Sequence, residues 1–345
     1  MRVGMITGRE QVELVEFAAS DPAPGTVRID ITLCGICGTE VASYRSGAAH
    51  SPSVCGHEWV GTVAAVGDGV ATRSVGERVV IAVCPPCGDC PECRDGLGEY
   101  CRVVNAMARG KDPLAPAHGG FAPSICVAAD RVVPAHAGLS DEQAAMVEPA
   151  AVAFHGVRRS GISMGDLVVV QGAGPIGLLA AQYARAAGAG RVVIVEPSEF
   201  RRGIAREVGV DDAVAPEAAR ELILDLTNGR GADAVIESAG VPALLQVAID
   251  SARQGGNVML LSYIAGDTVI NSARIMAREI TLRSAVAYSH GDFQRTMALI
   301  ANGQVRTEPL HTRTAALEAL PDVLADLGAA RTNDIKVLID PREQS

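Results

Sequence analysis

LVVVQGAGPIGLLAAQYARAAGAGRVVIVE, residues 167–196, decides the fold of this chain. Leu167–Gln171 is a short apolar run, as expected of a parallel strand buried on both faces. Gly172, Gly174 and Gly177 follow as G-x-G-x-x-G. Pro175 is placed to open a helix and Gly188 to end it. A second apolar run, Arg191–Val195, closes on Glu196, 19 residues after Gly177. Alone, the glycine motif is weak, and its plain alternative is three packing glycines with a solvated Glu. The strand–turn–helix–strand–acid order raises it to a dinucleotide site. Gly172 allows the tight turn, Gly174 lets the backbone approach a pyrophosphate, and Gly177 lets the helix pack on the sheet. Pro175 and Ile176 begin the helix whose free N–H groups face the phosphates. Glu196 can accept hydrogen bonds from ribose hydroxyls and repel a 2′-phosphate, which favours NAD over NADP. Arg201 and Arg202 lie close behind; they pull the other way, with Arg201 the candidate cofactor contact.

Further strand candidates lie at Ala234–Ser238, Asn257–Ser262 and Ile280–Ala285, with Ser198 and Pro216 placed to start the helices between. This alternation predicts a doubly wound parallel sheet with helices on both faces. The first 150 residues read differently: 27–33, 59–67 and 77–83 are short strand-like runs broken by Gly and Pro. Residues after about 286 return to that mixed pattern and end in IKVLID, 335–340. A length of 345 residues suits two domains. Hydrophobic residues at 48% and charged residues at 20% indicate a globular protein. The net charge of −10, without a basic run, argues against nucleic-acid binding. No segment approaches the roughly 20 apolar residues of a membrane span. Nine cysteines without an export signal point to a reducing, cytoplasmic setting.

Four of those cysteines, Cys87, Cys90, Cys93 and Cys101, form C-x2-C-x2-C-x7-C in a stretch suited to neither helix nor strand. Four thiolates complete the tetrahedral shell of a structural zinc ion. Disulfides, an iron–sulfur centre or buried thiols are the alternatives, and Cys84 offers another first ligand. Cys37 in CGICGTE, His57 and Glu58 in CGHEWVG, and Glu148 in VEPAAVAFH are more ambiguous. Taken singly, each has an ordinary explanation: a small buried thiol, a core histidine, surface carboxylates.

The motifs together carry more. Gly56-His57-Glu58…Gly61-Thr62-Val63…Val66-Gly67 reads GHExxGxVxxVG, with CGxCGTE upstream and the four-cysteine lobe and GxGxxG downstream. That order resembles the zinc-dependent medium-chain dehydrogenase/reductase family over nearly the whole chain. EPSEFRR, starting at Glu196, resembles its polyol and threonine dehydrogenase side. The resemblance implies a GroES-like catalytic domain, 1–150 and 286–345, with a zinc lobe at about 84–102 and a six-stranded Rossmann NAD-binding domain at 151–285. It selects Cys87, Cys90, Cys93 and Cys101 as the structural set, leaving Cys84 a bystander. It implies a catalytic zinc on Cys37, His57 and Glu58, with Glu148 exchanging in or holding water. Cofactors would be NAD and two zinc ions per chain, and the assembly a homodimer or homotetramer.

The implied reaction is hydride transfer between NAD and a secondary alcohol (a polyol, sugar derivative or amino alcohol) to give the ketone. The resemblance implies that Thr39 passes the alcohol proton outward and that Glu40 orients His57. Position 42 departs from the family: Ala42 stands where many relatives carry a relay histidine, leaving water, the cofactor ribose or another residue such as His50 to substitute. Tyr44, Trp59 and Phe121 are equally readable as pocket or core, and His155 as structural. Two further readings share these motifs: a net non-redox epimerase that keeps its NAD, and a non-catalytic zinc- or nucleotide-binding protein.

Overall fold

The computed structural model describes residues 1–48, 51–111 and 114–342. The chain divides into two compact units: Met1–Glu148 with Ser289–Ala301 and His311–Ser345, and Pro149–Tyr288 with Asn302–Leu310.

The second unit holds a six-stranded parallel sheet in the order Asp212–Val214, Arg191–Val195, Leu167–Gln171, Ala232–Glu237, Ala252–Leu260, Thr281–Ser284. Val168, Val169 and Val170 are fully buried, as the apolar run requires of a central strand. Helices Pro175–Ala186, Glu199–Glu207, Pro216–Leu226 and Pro242–Ser251 connect successive strands. The order reverses between Leu167–Gln171 and Ala232–Glu237, the switch point at which such sheets bind nucleotides beyond their strand ends. Asp212–Val214 escapes sequence reading because three residues carry no periodicity. Ser198 caps its helix by accepting from the Arg201 N–H at 3.4 Å, and Gly188 has a φ of +100° just past the end of Pro175–Ala186.

The first unit is built mainly of strands. Its seven-stranded sheet runs His311–Ala316, Lys336–Asp340, Thr26–Gly35, Glu58–Val66, Arg78–Ile81, Val132–Pro134, with Ser124–Ala128 also on Thr26–Gly35. Arg2–Gly8 and Gln11–Glu16 form a separate antiparallel pair. The C-terminal IKVLID run thus returns to the first unit, pairing Leu338 with Gly35 and Ile339 with Cys34. The core gathers Ile29, Ile31, Trp59, Val63, Phe121, Leu320 and Val323. Tyr44, Trp59 and Phe121 are therefore core residues of this unit, which burial of their large apolar surface favours. No helix among the described residues is long and apolar enough to cross a membrane.

Candidate zinc and dinucleotide sites

In the lobe, the sulfurs of Cys87, Cys90, Cys93 and Cys101 lie within 4.8 Å of one another. Short turns rather than a core bring them together: Cys90 precedes the single-turn helix Pro91–Arg94, and Cys101 precedes Arg102–Met107. The Cys87 N–H points to the Cys101 sulfur at 3.4 Å, and the Cys90 N–H to the Cys87 sulfur at 3.4 Å. Burial would raise the Cys101 thiol, yet the N–H groups of Cys87 and Val104 hold it down at about 6. Four converging sulfurs and a ready thiolate fit a closed tetrahedral zinc shell. Cys84 stands apart, buried against Met107 with its sulfur 2.8 Å from the Met107 sulfur.

The second constellation is assembled from three segments of the first unit. Cys37 precedes the helix Gly38–Ser46, His57 precedes the strand Glu58–Val66, and Glu148 lies in the first turn of Val147–Arg159. Donor atoms of His57, Glu58 and Glu148 lie within 4.8 Å of one another, as do those of Cys37, Glu40 and His57. Glu40 is fully buried and organises the group. Its Oε2 accepts from the Cys37 N–H at 2.8 Å, and its Oε1 from the Gly56 N–H at 3.1 Å. Oε1 also lies 2.9 Å from Nδ1 of His57, which is 2.9 Å from the Val54 carbonyl oxygen. A proton on Nδ1 shared between these acceptors leaves Nε2 with the free lone pair.

Electrostatics in this pocket are lopsided. Burial works against charge on His57, but Glu40 and Cys37 hold its pKa well above the ordinary value. Burial, reinforced by Glu58, pushes Glu148 up to about 7. A thiol, an imidazole and crowded carboxylates with one lysine nearby form a donor set that a divalent zinc ion fits. Thr39, two residues after Cys37, is exposed. Cys34 and Cys55 flank the motifs as buried thiols, Cys55 pushed by burial up to about 12. His50 lies outside the described residues.

Sequence reading missed Lys336. This buried lysine opens the strand Lys336–Asp340 and donates to Oε2 of Glu58. Composition offered a signal: the chain has only two lysines, Lys111 and Lys336, so a lysine here is not a generic surface charge.

In the second unit each glycine of the loop answers a different steric requirement. Gly172 has a φ of +96°, open to glycine at no steric cost. A Cβ on Gly174 would meet nothing within 4 Å, so the backbone there faces open space. A Cβ on Gly177 would collide with the Gly172 carbonyl oxygen and meet Ser238 Oγ at 2.7 Å. Pro175 and Ile176 open the helix above it. Glu196 is buried beside the loop, accepting from the N–H of Ala173 at 2.8 Å and of Ser198 at 2.9 Å. Arg202 is spent on the carbonyl oxygen of Pro197 at 2.8 Å and on Glu199. Arg201 sits half-buried in the first turn of Glu199–Glu207. An open cradle at a helix N-terminus fits a pyrophosphate. His155 is buried with Nδ1 3.3 Å from the Arg158 guanidinium.

Residues 23–137 match the alcohol dehydrogenase GroES-like domain, and residues 175–302 the zinc-binding dehydrogenase domain. The chain belongs to the zinc-dependent medium-chain dehydrogenase family. It is an oxidoreductase of the alcohol dehydrogenase type, using zinc and a nicotinamide nucleotide. It is 34% identical over 330 residues to the 2-dehydro-3-deoxy-L-galactonate 5-dehydrogenase of Pseudoalteromonas atlantica, covering 94% of this chain and 93% of that one. It is 29% identical to the sorbitol dehydrogenase of Bacillus subtilis, covering 99% and 97%. Among solved structures it resembles a zinc-binding dehydrogenase of Sinorhizobium meliloti bound to NADP, with a TM-score of 0.85, 29% identity and 99% coverage of both chains.

Proposed function

We propose that the enzyme oxidises a secondary alcohol of a polyol, sugar derivative or sugar acid to the ketone with NAD, in the cytoplasm. The observation that supports this is that His57 shares one donor cluster with Cys37 and Glu40 and another with Glu58 and Glu148. Cys37 and His57 hold the catalytic ion with carboxylate help from Glu58 and Glu148, and Cys87, Cys90, Cys93 and Cys101 hold a second, structural ion. When bound, zinc lowers the pKa of an alcohol oxygen and the nicotinamide ring takes the hydride. Glu40 fixes the ring of His57, and Thr39 passes the alcohol proton outward. Ala42 has no group to receive it, so water does. Gly172, Gly174, Gly177, Pro175 and Ile176 seat the pyrophosphate, while Glu196 and Arg201 hold the adenosine ribose. Because Arg202 is engaged elsewhere, Glu196 governs the choice of NAD.

The substrate class follows relatives that act on a sugar acid and on sorbitol. A homodimer or homotetramer is supported by the outermost strand, Thr281–Ser284, which is exposed along its length, Leu282 included, with exposed Met276 and Val286 near it in the sequence. A screen of polyols, aldonates and amino alcohols with NAD tests the reading through NADH absorbance. Substrate conversion without NADH accumulation would instead point to an epimerase.

A further inference from the structure

Glu237 ends the strand Ala232–Glu237 and is fully buried. A buried carboxylate is costly unless it is paired or hydrogen-bonded. Here three uncharged donors meet it. Its Oε1 accepts from the N–H groups of Ala239 and Gly240, both at 2.9 Å, and its Oε2 accepts from the Ser262 hydroxyl. Bonds to an ionised acceptor are roughly twice as strong as neutral ones, so one side chain fixes both the turn 238–240 and Ser262. Three strand ends lie level at this point: Glu237 is the register partner of Gln171 on one side and of Leu260 on the other. Gly172 follows directly on the first of these ends, and Ser262 lies two residues beyond the second.

The turn held by Glu237 meets the glycine loop twice. A Cβ on Gly172 would lie 3.1 Å from Cβ of Ala239 and 3.2 Å from its Cα. A Cβ on Gly177 would lie 2.7 Å from Oγ of Ser238, which donates to the Gln171 carbonyl oxygen at 2.7 Å. The first and third glycines therefore close against residues 238 and 239. The second, Gly174, is the one whose Cβ would meet nothing within 4 Å. The open glycine thus stands between two that rest on a turn set by a carboxylate from a different strand.

We propose that Glu237 is a positioning residue for the dinucleotide: it holds the turn 238–240 against Gly172 and Gly177, and so keeps the loop in the shape that receives the pyrophosphate of either nucleotide. The proposal rests on the reading of the glycine loop as the pyrophosphate seat. Both are tested in the zinc-loaded full-length protein by fluorescence titration with NADH and NADPH, alongside the thermal midpoint. Gly174→Asp places a carboxylate in the open space at the loop and should abolish NADH binding at an unchanged midpoint. If that variant binds NADH as the unaltered protein does, the loop reading falls and this proposal with it. Glu237→Ala should weaken NADH and NADPH equally, each about tenfold, as expected for loss of a charge-assisted restraint. Glu237→Gln keeps an acceptor for the N–H groups of Ala239 and Gly240 without the charge, and its loss should be only about threefold. A lower midpoint with unchanged NADH affinity in Glu237→Ala would make the residue merely structural, overturning the proposal while the Gly174→Asp result upholds the loop reading. A loss confined to one nucleotide overturns it as well, because the pyrophosphate is common to both. Should Glu237→Ala not fold, Glu237→Gln decides alone: weakened binding of both nucleotides supports the proposal, and unchanged binding overturns it.

Discussion

Glu40 and His57 are joined at 2.9 Å between Oε1 and Nδ1, with the carboxylate fully buried. The same carboxylate accepts from the N–H groups of Cys37 and Gly56, one within and one beside the metal motifs. One side chain therefore sets the ring orientation of His57 and the backbone course of both motifs. Glu40→Gln should retain shape but weaken catalytic zinc binding about 10- to 100-fold, with a matching fall in kcat/KM. Competition with a chromophoric chelator measures this, and unchanged zinc affinity would remove Glu40 from the orienting role.

The pH dependence of the metal-free protein follows from Glu148 and His57. Glu148 is raised to about 7, so its ionised form is disfavoured in the folded state. That penalty is absent below the ordinary carboxylate range and grows as pH rises through about 7. His57 is also raised; its contribution is present below its ordinary value and lost as pH rises through the folded one. Both signs agree: the metal-free chain should lose thermal midpoint, roughly a few degrees, between pH 5.5 and 8. Glu148→Gln should flatten part of that slope. Zinc must displace these protons, so its retention should fall as pH drops below about 7. A midpoint that rises with pH over this range would contradict the assignment.

Two kinds of metal site should respond to mutation differently. Metal analysis should find about two zinc ions per chain. Cys37→Ser should abolish turnover and leave the thermal midpoint of the first unit nearly unchanged. Cys93→Ser should remove the order supplied to residues 87–101 and lower stability or assembly. Loss of activity alone in the Cys93 variant would mean that the lobe takes part in chemistry.

Glu196 should carry nucleotide preference. Glu196→Ala removes both the ribose acceptor and the bond to the Ala173 N–H at 2.8 Å. Affinity for NADH should fall about tenfold, a loss of roughly 1.4 kcal/mol, and affinity for NADPH should fall less. Fluorescence titration with the two nucleotides gives the ratio, and a constant ratio would rule out the ribose contact.

The geometry of the glycine loop was legible because its constraints are local. The tight turn, the open backbone and the helix start all fall between Gly172 and Gly177, and a steric requirement for glycine shows in the sequence itself. The four-cysteine lobe was legible for a similar reason: its ligands span fifteen residues. Strand existence was also readable from apolar runs, though Asp212–Val214 was too short to show. The readings of Tyr44, Trp59 and Phe121 stayed open because an aromatic beside a ligand motif serves core and pocket equally well; burial against Ile31, Leu320 and Val323 decided for the core.

By itself, then, the sequence determined the α/β plan, the shape of the glycine loop and the kinds of donor available to metal. Each depends on spacing within a short window, where periodicity and glycine requirements act. Only the tertiary structure decided that Glu40 meets His57 and that Lys336 meets Glu58 from 278 positions away. Those meetings arise from strand pairing of Thr26–Gly35 with both Glu58–Val66 and Lys336–Asp340. No local pattern encodes such a register, because it is set by the hydrogen bonding and burial of the whole sheet.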